Sequence, residues 1–324
     1  MELTVQATLA GVHPRTEELV QATRDFDRGR ADAKHLAQAR SRDAAALVAL
    51  QAKAGFTHVS DGLLGFQDLF RPFAEKVQGC KVGPITRWFD NNTFYRQPLV
   101  EAPLKRTGPV LKEYLERPKL APGHQWKAVL PGPYTWAKSV DDRAYGSTEK
   151  LLTAFAREAL GPEVKWLAQE GFGWIQFNEP WLVKERPQPE EWEALQKAYL
   201  GLLDGVKVTS SIATYFGDAR PVLNELFDLP ADYIGIDFTA TGLDAFADFQ
   251  ATRGLQAGVV DGRMSIVEKP GDLVTLGREL LDATGVPALA LAPSCDLEFL
   301  PRGIADEKVL ALGEASRALQ QEVA

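Results

Sequence analysis

Short runs of branched and aromatic residues recur along the chain. Each closes on a polar or charged residue, and most lead into a stretch with helical periodicity. The runs are ELTVQATLAGVH (2–13), GFTHVSDG (55–62), WKAVLPGPYTW (126–136), GWIQFNEP (173–180), VKVTSSIATY (206–215), YIGIDFT (233–239), LQAGVVDG (255–262) and PALALAPSCD (287–296). Strands that alternate with helices pair in parallel, and eight such repeats predict closure into a (β/α)8 (TIM) barrel. Chemistry in that architecture gathers at the carboxyl ends of the strands. Here those ends are His13, Asp61, Tyr134, Asn178 with Glu179, Tyr215, Asp237, Asp261 and Cys295.

The segments between the strands read mainly as helices. Residues 15–53 fit a helix broken at Gly29, and Ala46, Leu47, Leu50 and Ala54 repeat at helical spacing before Gly55 stops the pattern. After Ser147, a plausible N-cap, Leu151, Phe155 and Ala159 form one stripe and Leu152, Ala156 and Leu160 its neighbour, until Gly161-Pro162 breaks the run. Further helices fit 189–204, 219–228, 242–252, 271–285 and 305–322. Residues 63–126 form a long connection after the second strand. It holds a helix near 66–78, a short extended piece near 82–88 and the aromatic segment RWFDNNTFY (87–95). Its prolines and glycines read as a folded insertion over the barrel mouth, so residues 1–324 are expected to form one barrel domain with one insertion.

Size fits that expectation. Of 324 residues 45% are hydrophobic, and a plain barrel takes roughly 250 residues, which leaves room for an insertion and little more. No run of 18 apolar residues occurs and the N-terminus lacks a basic leader, so neither a membrane span nor a signal peptide is expected. Two cysteines, Cys80 and Cys295, give no disulfide framework and suit a reducing cytoplasm. A net charge of −8 argues against nucleic acid. The insertion departs from this balance, with ten Lys/Arg against six Asp/Glu between Leu63 and Trp126, or +4, leaving −12 elsewhere. Such an excursion either attracts an anionic substrate tail or serves as a solvated, soluble surface.

The strand ends supply the candidate chemistry. In GWIQFNEP, alternation puts Trp174, Gln176 and Asn178 on the barrel interior and Ile175, Phe177 and Glu179 toward the helices. Buried amides need partners or a polar ligand, so a hydrogen-bond network and a ligand contact compete as explanations. Asp61, Asp237 and Asp261 could bind an amine, a metal or a proton in transit, or cap the next helix; Asp261 in VVDGR fits a simple turn. Cys295 lies beyond the apolar run PALALA, where a thiolate could act as a zinc ligand or nucleophile. No C-x-x-C, H-E-x-x-H, G-x-S-x-G or phosphate-cradling loop is present.

Taken together, SDGLLGFQDLFRPF (60–73), TRWFDNNTFYRQP (86–98), LPGPYTW (130–136), IQFNEPWLV (175–183), ATYFGD (213–218), GVVDGR (258–263) and APSCDLEFLP (292–301) resemble the cobalamin-independent methionine synthase family. WFDNNTFY, TYFG, GVVDGR and APSC resemble its amino-terminal barrel more than its catalytic one. The resemblance implies methyl transfer to homocysteine without cobalamin, from a folate-type donor. It marks Asp61, Asn178, Glu179 and Tyr215 as candidate catalytic residues. Arg87, Trp88, Asn91, Tyr95, Trp136, Gln176 and Asp261 become candidate substrate contacts, and Cys295, Asp237 and His13 candidate metal ligands.

The catalytic barrel of that family holds zinc with a His-x-Cys pair, a Glu and a Cys. Tyr215 and Gly217 stand at the His-x-Cys positions, Asp237 at the Glu position, and Cys295 alone matches; Asn178 replaces the acidic residue that holds the substrate amine. An alternative zinc set would bring His13 to Cys295 across the neighbouring first and eighth strands, with Asp237 or Asp261 completing it. Two readings follow: a stand-alone one-carbon transferase, or a non-catalytic barrel that pairs with a separate zinc-bearing chain. In the first, Arg87, Trp88, Phe94, Tyr95, Lys105 and Arg106 would meet the ring and carboxylates of a folate. A third is a barrel recruited to other chemistry.

Overall fold

The computed structural model describes residues 3–323 apart from Asp248. Eleven strands run in chain order: β1 (Thr4–Ala7), β2 (His58–Val59), β3 (Val77–Arg87), β4 (Phe94–Arg106), β5 (Gln125–Pro131), β6 (Asp141–Asp142), β7 (Phe172–Asn178), β8 (Thr209–Ala213), β9 (Tyr233–Asp237), β10 (Gly254–Val260) and β11 (Ala288–Pro293). Eight of them form one parallel sheet in the order β1-β11-β10-β9-β8-β7-β5-β2, curled with helices outside it. The predicted (β/α)8 order of elements is therefore present.

Backbone bonding continues past the strands toward the mouth. Glu179 N–H donates to Ala213 O at 2.8 Å, Thr214 to Gly235 at 2.9 Å, Phe238 to Gly258 at 3.0 Å and Ser294 to Val260 at 2.7 Å. These bonds carry the polar strand ends in register around the rim. Between β1 and β2 no ladder forms among the described residues. Thr57 Oγ1 donates to Gln6 Oε1 at 3.1 Å and His13 N–H to Gly62 O at 3.0 Å, so the ring is fastened there by individual bonds.

The barrel interior is layered as the alternation of β7 predicts. Trp174 stacks on Tyr233 with centroids 4.9 Å apart, and its indole N–H donates to Ser211 Oγ at 2.9 Å. Above this layer lies Lys127, fully buried. Its ammonium donates to Thr8 Oγ1 at 2.6 Å and Leu9 O at 2.8 Å and sits 4.8 Å over the Trp174 ring. Burial drives the Lys127 amine well below its ordinary range.

The insertion differs from expectation. Instead of a long helix and a short extended piece, it has one short helix, Arg71–Lys76, followed by an antiparallel β3–β4 hairpin. RWFDNNTFY forms the hairpin turn and its flanks. The strands are irregular, with register shifts between Gln78 and Cys80 and between Val82 and Ile85. Gly79 takes φ +94°, and a Cβ there would fall 2.6 Å from two backbone oxygens. Bulges and interior glycine blur the period-two signal that would have revealed these strands. Glu163 anchors the hairpin to the barrel: fully buried, it accepts from Arg106 Nε at 2.7 Å, Val110 N at 2.8 Å and Leu111 N at 2.9 Å. Arg106 is thereby committed to structure, not to a ligand.

Three helical expectations need correction. Gly161-Pro162 does not end its helix. A π-helical turn, Ala156–Leu160, joins Thr148–Phe155 to Gly161–Gln169, and this wider turn absorbs the proline without a break. The stretch 219–228 holds only a 3-10 turn, Arg220–Val222, and the short helix Leu223–Phe227. Among its described residues the stretch 242–252 holds a single 3-10 turn, Leu243–Phe246. In the first, the Arg220 amide donates to the Asp218 carboxylate, a local bond that competes with helix propagation.

Candidate active site at the barrel mouth

Side chains at the carboxyl ends of the strands fall into two kinds. Some are saturated by neighbouring backbone and others face space with polar atoms unpaired.

Glu179 is of the first kind. Its Oε1 accepts from Tyr134 N at 3.0 Å and Tyr199 hydroxyl at 2.9 Å, and its Oε2 from Thr135 N at 2.6 Å. It thus caps the helix Pro133–Ser139 from the helix-facing side of β7, as alternation predicts. Burial outweighs these bonds and pushes its pKa up to about 7. Asp61 is similarly spent: Oδ1 accepts from Leu63 N and Oδ2 from Glu116 N, each at 3.0 Å, tying both ends of the insertion. Asp237 accepts from Thr239 N at 2.9 Å, Thr239 Oγ1 at 2.5 Å and Phe216 N at 3.2 Å. Asp261 takes the Arg263 amide at 2.8 Å in a local turn.

The second kind lies between β7, β8 and β11. Gln176 Nε2 bonds Ala10 O and donates to Asn178 Oδ1 at 2.7 Å, while Gln176 Oε1 is buried without a partner. Asn178 reaches Ala10 O only loosely, at 3.5 Å. Tyr215, 1% exposed, has a buried hydroxyl with no hydrogen-bond partner. The Asn178 amide lies beside that hydroxyl without hydrogen-bond geometry, and the Asp296, Cys295 and Glu298 side chains hold it in the neutral form, after burial itself. Asp296, two residues beyond β11, accepts from Val12 N at 2.7 Å through Oδ1. A Cβ at Gly11 would fall 1.9 Å from that oxygen and 3.3 Å from Asn178 Nδ2, so only glycine lets these groups converge on the end of β1. The motif APSCDLEFLP carried Asp296 and Glu298, yet sequence reasoning stopped at Cys295.

The insertion closes over this side. Phe89 packs 5.1 Å from Trp181 and 5.5 Å from Phe216, which follow β7 and β8. Phe89 and Phe216 both take positive φ, +53° and +68°, a conformation that costs non-glycine residues energy and concentrates at mobile or binding loops. Trp88 and Tyr95, both buried, join Phe70 in an aromatic cluster, and Tyr95 donates to Ser139 O at 2.9 Å. With Asp68, Asp296 and Glu298 they line a narrow cavity of about 30 Å³. Arg87 is exposed over the Phe94 ring at 5.8 Å, and Asn91 N–H bonds Trp88 O at 3.3 Å. Trp136 lies away from the cavity edge, stacked on Phe155 at 4.3 Å within the core. Arg71, Lys76, Lys81 and Arg117 each pair with a glutamate, so much of the insertion's positive charge is neutralised locally.

The zinc set suggested by sequence does not assemble. His13 Nε2 pairs with Asp306 Oδ1 at 2.9 Å on the C-terminal helix, not with Cys295. Asp237 has both oxygens taken, and burial keeps the Cys295 thiol protonated, its pKa raised well above the usual value. Among the described residues no three His, Cys, Asp or Glu side chains are grouped to hold a metal ion. The residues present do not fit zinc.

Residues 74–269 match the family model for the cobalamin-independent synthase N-terminal domain. The chain belongs to that family. Methionine synthase of Saccharolobus solfataricus is 26% identical over 323 residues, an alignment covering 98% of this chain and 95% of that protein. The 5-methyltetrahydropteroyltriglutamate–homocysteine methyltransferase of Streptococcus suis is 30% identical over 249 residues, covering 74% of this chain and 32% of the relative. In fold, the chain resembles a B12-independent methionine synthase from Shewanella sp. W3-18-1 solved with selenomethionine. That TM-score is 0.76 at 19% identity, covering 98% of this chain and 99% of the other. The family is described as independent of cobalamin, in line with the expected absence of that cofactor from the reaction.

Proposed function

We propose that this chain is an S-methyltransferase that makes methionine from homocysteine. The thiol loses its proton, a new S–C bond forms, and the bond between the methyl group and its donor breaks. Alignment with methionine synthase across nearly the whole of both chains carries this reading. The strand ends support it with buried, unpaired polar groups, Gln176 Oε1 and the Tyr215 hydroxyl, and the insertion with a small cavity walled by aromatic rings. A folate-type donor would use those rings as a stacking surface and the exposed Arg87 for its carboxylates. The whole of 1–324 would act as one barrel with its insertion, in the cytoplasm. No helix among the described residues is long and apolar enough to cross a membrane.

A second reading has a specific observation in its favour. The matching family model is that of an N-terminal domain, and the metal-ligand set does not converge here. This barrel would then assist a separate zinc-bearing catalytic chain. Purified protein supplied with homocysteine and 5-methyltetrahydropteroyltriglutamate should form methionine on its own under the first reading. Turnover appearing only when a zinc-bearing second barrel is added would transfer the assignment to the second.

A further inference from the structure

Bringing two substrates together needs room that the barrel mouth does not offer. The cavity under the insertion measures about 30 Å³, and the one among the ends of β8 to β11 about 10 Å³. Sites for small molecules span about 300–1,000 Å³. Wider clefts exist, but away from the strand ends. One of about 440 Å³ lies between the helices Gly161–Gln169 and Pro189–Leu203, and two of about 480 and 660 Å³ lie beside the starts of β5 and β11. A ligand therefore reaches the strand ends only if part of their cover moves.

One segment of that cover has anchored ends and a loose middle. Trp88 and Tyr95 are buried and pack on Phe70 at 5.3 and 5.1 Å, and Tyr95 is fixed further by its bond to Ser139 O. Residues 89–94 between them are half-buried or exposed. Trp88 N–H donates to Thr93 O at 3.0 Å, so this tip is closed on itself and can swing as a unit. Two contacts join it to the barrel rim. The Phe89 ring touches Trp181 and Phe216 at 5.1 and 5.5 Å, and Lys184 pairs with Asp90 at 3.0 Å. The Asp90 side chain is 93% exposed, and an ion pair so open to water holds little. Phe89 and Phe216 both keep left-handed backbones, at φ +53° and +68°, which non-glycine residues adopt at a cost and which cluster at clamps and switches. Phe216 in turn lies 4.7 Å from the ring of Tyr215, whose buried hydroxyl has no partner.

We propose that the tip 89–94 is a gate, with Phe89 as its plug and Trp88 and Tyr95 as its fixed posts. Closed, the Phe89 ring packs against Trp181 and Phe216, which follow β7 and β8. Open, it leaves two aromatic faces lining a way in to the ends of those strands. Arg263 sits 5.7 Å over the Phe216 ring and stays with the barrel, so it keeps that ring in place when the plug leaves. The gate rests on the reading that substrates meet at the strand ends, and its test needs no turnover.

Fluorine NMR on the full chain labelled with 5-fluorotryptophan tests it, with Trp181 on the rim and Trp136 in the core assigned through Trp181→Phe and Trp136→Phe. Trp181 should exchange on the microsecond-to-millisecond scale between a covered and an uncovered state, while Trp136, stacked on Phe155, should not. Lys184→Ala frees the tip but keeps the plug, and should raise the uncovered population about twofold. Phe89→Ala should leave one Trp181 signal at the shift of the uncovered state, with an unmoved Trp136 signal showing that the variant is folded. Flat relaxation at Trp181 in both the wild type and Lys184→Ala, or equal exchange at Trp181 and Trp136, overturns the gate. Methionine formation by the same chain decides the transferase reading separately. Turnover with flat Trp181 relaxation sinks the gate alone, and an exchanging Trp181 with no methionine formed sinks the stand-alone transferase alone.

Discussion

Glu179, at the end of β7, and Glu298, beyond β11, lie at the same end of one barrel; burial raises the fully buried Glu179 to about 7, and desolvation with the neighbouring Asp296 charge raises the half-buried Glu298 to about 8. Their surroundings are opposite. Glu179 receives two amides and a tyrosine hydroxyl, whereas Glu298 receives no hydrogen bond among the described residues. A raised pKa therefore does not separate a structural carboxylate from a functional one. Saturation does: a filled acceptor has a local job, and a half-buried one without a protein donor is left to solvent or ligand.

That contrast is open to attack by mutation. The largest loss is expected at the saturated sites. Glu163→Ala strips Arg106 and two amides of a fully buried partner and should cost about 3–5 kcal/mol in denaturant unfolding. Glu179→Ala orphans the Tyr134 and Thr135 amides and the Tyr199 hydroxyl, for about 2–4 kcal/mol. A loss below about 1 kcal/mol at either site would show that saturation is a poor guide. Cys295→Ala, with the thiol packed against Gly262 and no ligand set around it, should cost about 1–2 kcal/mol and leave metal content unchanged. A drop in bound zinc would reverse that account.

The smallest effect is the most diagnostic. In the free protein Glu298 keeps a proton that the unfolded chain has already given up above its ordinary value of 4.5. Stability from this group is therefore full at low pH and is lost as pH rises toward about 8. Glu298→Gln, which cannot ionise, should flatten the fall in urea midpoint between about pH 6 and pH 8 while barely changing stability at pH 5. An unchanged slope would show that Glu298 titrates as in the unfolded chain.

Much of this was legible from residue order. The eight parallel strands followed from alternating periods, and the facing of Gln176 and Asn178 inward and Glu179 outward followed from the pleat alone. The hairpin was not, because Gly79 and two register shifts interrupt its alternation. The helix through Pro162 misled for the converse reason, since a local breaker was overruled by a wider turn packed on the barrel. At the mouth, Asp61 and Glu179 attracted attention as charged strand ends, but only coordinates reveal that their oxygens are filled. Asp296 and Glu298 escaped notice because each lies past its strand, where sequence cannot tell a solvated loop from one packed under the insertion.

One consequence concerns the join between the first and second strands. Every other neighbouring pair in the ring shares a backbone ladder, while this join relies on a few separate clasps such as Thr57 to Gln6 and His13 to Gly62. A hoop closed by a buckle parts at the buckle. Amide exchange in β1 and β2 should accordingly outpace that in β7 and β10, and new chain ends introduced there should disturb the molecule least.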